Sequence, residues 1–168
     1  MKTLKHIVTI VILASLLAGC GFQLRGSADL PFTSLYINGD RNSMFVNDLS
    51  RNIRSASHTR LTDTPQEAEA TLALLGEGRF KDILSIGADG RVREFRLRYT
   101  ITYQLRNAKG IALAPPAALE LHRDITFNDA DVLAKEAEEG MMFTDMQHDA
   151  VQLLLRRLSA FKPNAAQS

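Results

Sequence analysis

The clearest pattern in the chain is a strict alternation of apolar and polar residues between positions 94 and 105. The apolar series is Phe95, Leu97, Tyr99, Ile101, Tyr103 and Leu105, and the polar series is Glu94, Arg96, Arg98, Thr100, Thr102 and Gln104. Because successive side chains of a strand point to opposite faces, this period of two predicts a long β-strand. One of its faces is covered and the other is polar, as in an antiparallel sheet that is packed on one side.

Two segments carry apolar residues at helical spacing instead. The first follows Asn42 and Ser43, either of which can cap a helix, and has Phe45, Leu49, Ile53 and Ala56 on one face. The second ends before Pro163 and has the longer stripe Met142, Met146, Ala150, Leu154, Leu158 and Phe161. Gly140 is expected to divide this second helix from a shorter acidic section that precedes it.

Shorter apolar runs predict further strands at residues 35–37, 60–63, 68–86 and 119–127. Within the third run, Gly76 and Gly78 indicate a bend, a bulge or a close approach. Asp89-Gly90 separates this run from the long strand, and this dipeptide is among the strongest hairpin signals because both residues tolerate positive φ. Arg123 interrupts the apolar face of the last strand.

The element order predicts an α+β fold, because two amphipathic helices and a sheet with one apolar face can bury each other. We expect a two-layer sandwich, with a mostly antiparallel sheet of about four strands and both helices on one face.

The start of the chain has the parts of a secretory signal: Lys2 and Lys5, an apolar run and small residues at its end. The apolar run is shorter than the roughly 20 residues that span a bilayer. It ends in Leu-Ala-Gly-Cys, which resembles the lipobox of bacterial lipoproteins. In such proteins the signal is cut before the cysteine, whose thiol carries a diacylglycerol and whose new amine is acylated. The alternative is a chance cysteine, which would leave Cys20 as a free thiol in an oxidising compartment.

We therefore predict four segments: a removed signal peptide (1–19), a lipidated N-terminus and tether (20–31), one domain (32–162) and a flexible tail (163–168). Removal of the signal leaves 18 basic and 19 acidic residues, a net charge of −1. This balance argues against a nucleic-acid partner, which usually meets a strongly basic surface. Since Cys20 is the only cysteine, the fold has no disulfide and depends on core packing.

The sequence contains no recognisable catalytic or metal-binding constellation. Its histidines beyond the signal, His58, His122 and His148, are scattered over three predicted elements. We therefore predict that the protein is not an enzyme and binds no metal.

The unusual chemical feature is basic. Arg91, Arg93, Arg96 and Arg98 crowd the start of the long strand, and Arg79 and Lys81 lie across the same hairpin. Arginine offers a planar fork that suits phosphates. The alternative interpretation is a solvated strand face whose charges protect an exposed edge.

The residues after the lipobox read Gly21-Phe22-Gln23-Leu24-Arg25-Gly26. This segment resembles the start of the LPS-assembly lipoproteins of the LptE family, in which Cys-Gly-(aromatic)-x-Leu-Arg is characteristic. Residues 132–136 and the final helix, with Leu155-Arg156-Arg157-Leu158, are also similar to that family.

The resemblance implies a non-enzymatic lipoprotein of the outer membrane that faces the periplasm and plugs the β-barrel LptD. Its only cofactor-like groups would be the acyl chains on Cys20. The family is also thought to bind lipopolysaccharide through basic residues. Lys135 matches one such position, whereas Ala88 stands at the other, so Arg91 and Arg93 are the expected substitutes. The alternative is a lipid-anchored chaperone or pilotin for another outer-membrane complex.

Overall fold

A computed structural model describes residues 29–162. Within this range the strands are β1 (Ser34–Asn38), β2 (Arg60–Leu61), β3 (Ala70–Ile86), β4 (Val92–Asn107) and β5 (Ala117–Thr126), and the helices are α1 (Met44–Ala56) and α2 (Val132–Ser159). The signal peptide, Cys20, most of the tether and the tail lie outside the described residues.

The strands form a single sheet in the order β2-β1-β3-β4-β5. β1 runs parallel to both β2 and β3, and the remaining pairs are antiparallel. The predicted α+β class is confirmed, but the described sheet has five strands instead of about four. The run at residues 60–63 predicted β2, which in the structure has only the two residues Arg60–Leu61.

Both helices contribute to the core on the apolar side of the sheet. The buried cluster joins Phe45, Leu49 and Ile53 of α1, Met146, Ala150 and Leu154 of α2, and Leu97, Tyr99 and Ile101 of β4. Ser43 caps α1, since its Oγ accepts a hydrogen bond from the backbone N–H of Val46 at 3.3 Å. This is one of the two caps that the sequence offered.

The boundary at Gly140 is wrong, because α2 continues through this residue without a break. A glycine inside a helix costs about 1 kcal/mol relative to alanine. The helix absorbs that cost because its second half packs along the core.

β3 contains a bulge at Leu75 that changes what faces the helices. Before it, Leu72 and Leu74 lie opposite core residues of β4, whereas after it Glu77 and Arg79 occupy that side. Directly opposed residues share a face of a sheet. The helix side of β3 therefore becomes charged towards the hairpin. The glycine signal in this strand is confirmed, since a Cβ on Gly78 would lie 2.6 Å from the Phe80 ring.

The chain leading into β1 is part of the core. Leu30, which was predicted to lie in the tether, is 8% exposed, and the centre of the Phe32 ring lies 6.0 Å from the centre of the Phe161 ring.

None of the helices in the described residues combines the length and the apolar character needed to span a membrane.

Candidate functional site

The β3–β4 hairpin closes at the predicted turn. Gly87 N donates to Arg91 O at 2.8 Å, and Gly90 N donates to Gly87 O at 2.9 Å. Gly90 has φ of 77°, a conformation that glycine adopts without strain. This geometry places Arg91 and Arg93 immediately after the turn.

Arg93 folds back over the turn, although 56% of its side chain remains exposed. Its Nη2 donates to Asp89 Oδ2 at 2.6 Å, and a Cβ on Gly87 would lie 2.7 Å from its Nε. Asp89 also accepts from the backbone N–H of Arg91 at 3.3 Å. A Cβ at residue 87 would require the exposed end of the Arg93 side chain to shift.

Lys135 lies at the same end of the molecule. The end of β5 is fixed beside β4, because Phe127 N donates to Arg93 O at 2.8 Å. Lys135 Nζ reaches back to Thr126 Oγ1 at 3.3 Å and to Glu138 at 2.8 Å. The structure thus brings Arg91, Arg93 and Lys135 to one end, which we call the hairpin end.

The charges of the hairpin end are partly neutralised by neighbouring carboxylates. Arg93 pairs with Asp89, and Lys135 pairs with Glu138. Such solvent-accessible pairs are worth about 0–1 kcal/mol each. A polyanion can therefore compete for these cations at low cost.

Arg96 and Arg98, by contrast, lie on the open face of the sheet and bind carboxylates there. Arg96 donates from Nε and Nη2 to the two carboxylate oxygens of Asp124, at 2.8 and 2.9 Å. These hydrogen bonds lower the pKa of Asp124 from its ordinary value and raise the pKa of Arg96. Arg98 donates to Asp82 at 2.7 Å and lies over the Phe80 ring. These two arginines cross-link neighbouring strands.

Arg79 and Lys81 face the helices and do not join the arginines of the turn. Arg79 Nη2 donates to Gln147 at 3.2 Å, and its guanidinium lies 5.6 Å from the centre of the Phe143 ring. Lys81 Nζ donates to Glu139 at 2.6 Å and lies over the Phe95 ring at 4.4 Å. The basic cluster of the sequence is therefore divided over three surfaces.

The hairpin end also exposes apolar side chains that the sequence analysis missed. They are Ile83, Leu84 and Ile86 of β3 and Val132 and Leu133 of α2, and Leu133 is 83% exposed. The sequence indication of this exposed apolar surface is the set of four large apolar residues between positions 80 and 86, which do not alternate regularly with polar residues. The hairpin end thus combines cations with exposed apolar surface.

A metal site is not indicated, since no three potential protein ligands cluster together in residues 29–162. The arrangement at the hairpin end is suited to binding an anionic amphiphile. Its cations can hold phosphates and its apolar side chains can contact acyl chains.

Comparison with known proteins identifies the family of the chain. The family model LptE, described as lipopolysaccharide-assembly, matches residues 32–158. The LPS-assembly lipoprotein LptE of Pectobacterium atrosepticum is 28% identical over 145 residues, covering 84% of this chain and 77% of the relative. The protein of the same name from Photorhabdus laumondii is 28% identical over 144 residues, covering 84% and 78%.

Solved structures extend the likeness to the fold. The solution structure of an uncharacterized lipoprotein B from Nitrosomonas europaea is 39% identical, with a TM-score of 0.74, and covers 84% of this chain and 92% of its own. The rare lipoprotein B of Shewanella oneidensis shares the fold at 20% identity and a TM-score of 0.66, covering 76% and 94%. The match of the family model to most of the chain shows that this protein belongs to the LptE family of lipopolysaccharide-assembly lipoproteins.

Proposed function

We propose that the protein is a non-enzymatic factor that binds lipopolysaccharide and assists its insertion into the outer membrane. The observation that carries this proposal is the hairpin end, where Arg91, Arg93 and Lys135 adjoin exposed apolar side chains. Lipopolysaccharide presents phosphates next to acyl chains, so it can use both kinds of surface at once. Family membership supports the same role.

The same proposal includes acylation of Cys20, which would anchor the protein to the membrane. The diacylglycerol and the N-acyl chain would hold the protein at the periplasmic side of the outer membrane, because two or more chains give stable anchoring. No other cofactor is proposed.

The partner that we propose is a β-barrel of the LptD type, which the domain would plug. Support comes from the open face of the sheet, where Arg96, Arg98 and Gln104 present polar groups to solvent. The interior walls of such barrels are polar as well.

Reversal of charge at the turn tests the binding of lipopolysaccharide. The double variant Arg91→Asp, Arg93→Asp replaces two cations beside Asp89, so repulsion replaces attraction for phosphate. We expect affinity for purified lipopolysaccharide to fall at least tenfold, about 1.4 kcal/mol, in a direct binding measurement.

The matched control is Arg41→Asp, Arg60→Asp, which makes the same change of charge at exposed positions away from the hairpin. Its affinity should stay within about twofold of the native protein, and circular dichroism should show native folding for both variants. Equal affinities of the two double variants would remove the arginines of the turn from the proposed site.

The partner is tested by purifying the tagged protein from outer membranes in mild detergent. A stoichiometric barrel of the LptD type in the mass spectrum is the expected result. Recovery of a different assembly in its place would contradict the proposed partner.

A further inference from the structure

A second candidate site lies at the opposite end of the sheet from the hairpin, on the face away from the helices. It is a cavity of about 290 Å³ whose lining includes Tyr36, Asn38, Thr71, Arg106 and Asn107. We call it the base cavity. Arg106 is fourteen positions beyond Val92 along β4, so the cavity lies roughly 45 Å from the hairpin end at about 3.3 Å per residue.

The strand register builds this cavity. Tyr36 of β1 is paired with Thr71 of β3, and Thr71 is paired with Arg106 of β4. These three side chains therefore stand in one row across three strands and on one face. Asn38 is two residues further along β1 on the same face. A row that is fixed by three strands gives the cavity a rigid floor.

Arg106 differs from the other arginines of β4 in its surroundings. Its Nε donates to Gln104 Oε1 at 3.1 Å, and Gln104 Nε2 donates in turn to Ala114 O at 3.5 Å. No carboxylate lines the cavity, and Arg106 forms no ion pair within residues 29–162. Its guanidinium is thus oriented by a neutral partner and keeps its charge available.

The other walls supply neutral polar groups. The side chains of Tyr36 and Asn38 make no hydrogen bonds within the described part of the chain. Asn107 stiffens the adjoining turn, since its Oδ1 accepts from the backbone N–H groups of Lys109 and Ile111 at 3.0 and 2.9 Å. Gly110 has φ of 78° in this turn.

We propose that the base cavity is an oxyanion site that binds a phosphate group carried on a small hydroxylated body. Arg106 holds the phosphate through its guanidinium fork. The Tyr36 hydroxyl and the Asn38 amide bond the adjoining hydroxyl groups. A volume of 290 Å³ is at the lower limit of ligand cavities, so the body is one sugar or one glycerol unit.

This site is separate from the hairpin end and does not depend on the function proposed there. The phosphate chemistry has two sources, a phospholipid headgroup or a phosphorylated saccharide. sn-Glycerol 3-phosphate and glucose 6-phosphate represent these two sources as soluble probes.

The test is an amide NMR titration of the complete lipidated protein in uncharged detergent, with chloride exchanged for each probe at constant ionic strength. We expect saturable shifts at Tyr36, Thr71 and Arg106 and none at residues 91–95. Tighter binding of glycerol phosphate would identify a lipid headgroup as the source, and tighter binding of glucose phosphate would identify a saccharide.

Arg106→Gln should weaken binding of the better probe at least tenfold, whereas Arg54→Gln on α1 should leave it unchanged. Arg106→Lys keeps the charge without the guanidinium fork and should weaken binding severalfold. This conservative variant keeps the proposal testable if the glutamine variant has a folding defect. The absence of saturable shifts with both probes, or equal affinity of the native and Arg106→Gln proteins, would overturn the proposal.

Discussion

The role of each arginine in this protein is decided by the group that its guanidinium meets. Arg96 meets a carboxylate across the sheet and becomes a cross-link. Arg93 meets a carboxylate of its own turn. Arg106 meets only a neutral amide within the described residues. Since Arg96 and Arg106 lie on the same polar face of one strand, neither composition nor periodicity separates these two.

The Arg96–Asp124 pair gives a prediction about pH. The pKa of Asp124 is lowered from an ordinary value of 3.8. The pair with Arg96 therefore stabilises the folded state at pH values above 3.8, and this stabilisation is lost as the pH falls through the lowered pKa of Asp124. We expect Arg96→Gln to return the pKa of Asp124 towards 3.8. Carboxyl ¹³C NMR titration measures this, and an unchanged pKa would show that Arg96 does not stabilise the carboxylate.

Gln147 gives a prediction about buried polar groups. It is fully buried on α2, where its Nε2 donates to Asp48 of α1 at 2.9 Å and its Oε1 accepts from Arg79 of β3. Gln147→Leu removes both bonds and leaves their partners incompletely satisfied. We expect a loss of about 1–3 kcal/mol of unfolding free energy in urea denaturation.

Gln152→Leu is the matched control, because Gln152 is exposed on the same helix. Its effect should stay within about 0.5 kcal/mol. An equal effect of the two substitutions would show that the buried network adds no stability.

At the scale of elements, the extra residue Leu75 in β3 has the largest consequence. The bulge at Leu75 shifts the alternation by one, so that the following charged residues turn towards α2. Without it, Glu77, Arg79 and Lys81 would point to the open face and Phe80 would point to the helices. The bulge therefore explains why the sequence of β3 reads less cleanly than that of β4.

Gly140 gives a prediction for α2. It is exposed in the helix, and an added Cβ would meet no atom within 4 Å. Gly140→Ala should raise the unfolding free energy by about 0.5–1 kcal/mol, because alanine favours the helix and restricts the unfolded chain. Thermal or urea denaturation measures the change.

Gly90→Ala serves as the opposite case, since φ of 77° strains a residue with a Cβ. It should lower stability by about 1 kcal/mol. If Gly140→Ala also lowered stability, the glycine would have a structural role in α2 beyond its helix propensity.

At the scale of the whole molecule, the two ends of the sheet are stabilised differently. Towards the base, α1 and α2 pack on apolar rows such as Leu72 and Leu105. Towards the hairpin, the contact with α2 passes through charged groups, as in Lys81–Glu139. Beyond Ala73, β3 has no described strand along its outer edge. The hairpin end therefore has fewer apolar contacts to resist local opening.

Native-state hydrogen exchange tests this difference. Amides of β4 at residues 101–105 should exchange at least tenfold more slowly than those at residues 92–95, because local stability follows buried apolar contact. Uniform protection along β4 would show that the charged contacts hold the hairpin as firmly as the core holds the base.

Much of the fold could be read from local pattern. The period of two in β4, the cap at Ser43 and the turn at Asp89-Gly90 depend on neighbours in the chain, and the structure contains all three. The continuity of α2 through Gly140 could not be read in this way. It depends on packing against distant segments, which outweighs local propensity.

The candidate site shows the same division. The sequence by itself determined the residue types, including the arginines after the turn, Lys135 and Cys20, as well as the family to which the chain belongs. Only the tertiary structure decided which cations share a surface, which have carboxylate partners, and that Tyr36, Thr71 and Arg106 form one row. Strand register sets these relationships, and register depends on contacts between residues far apart in the chain.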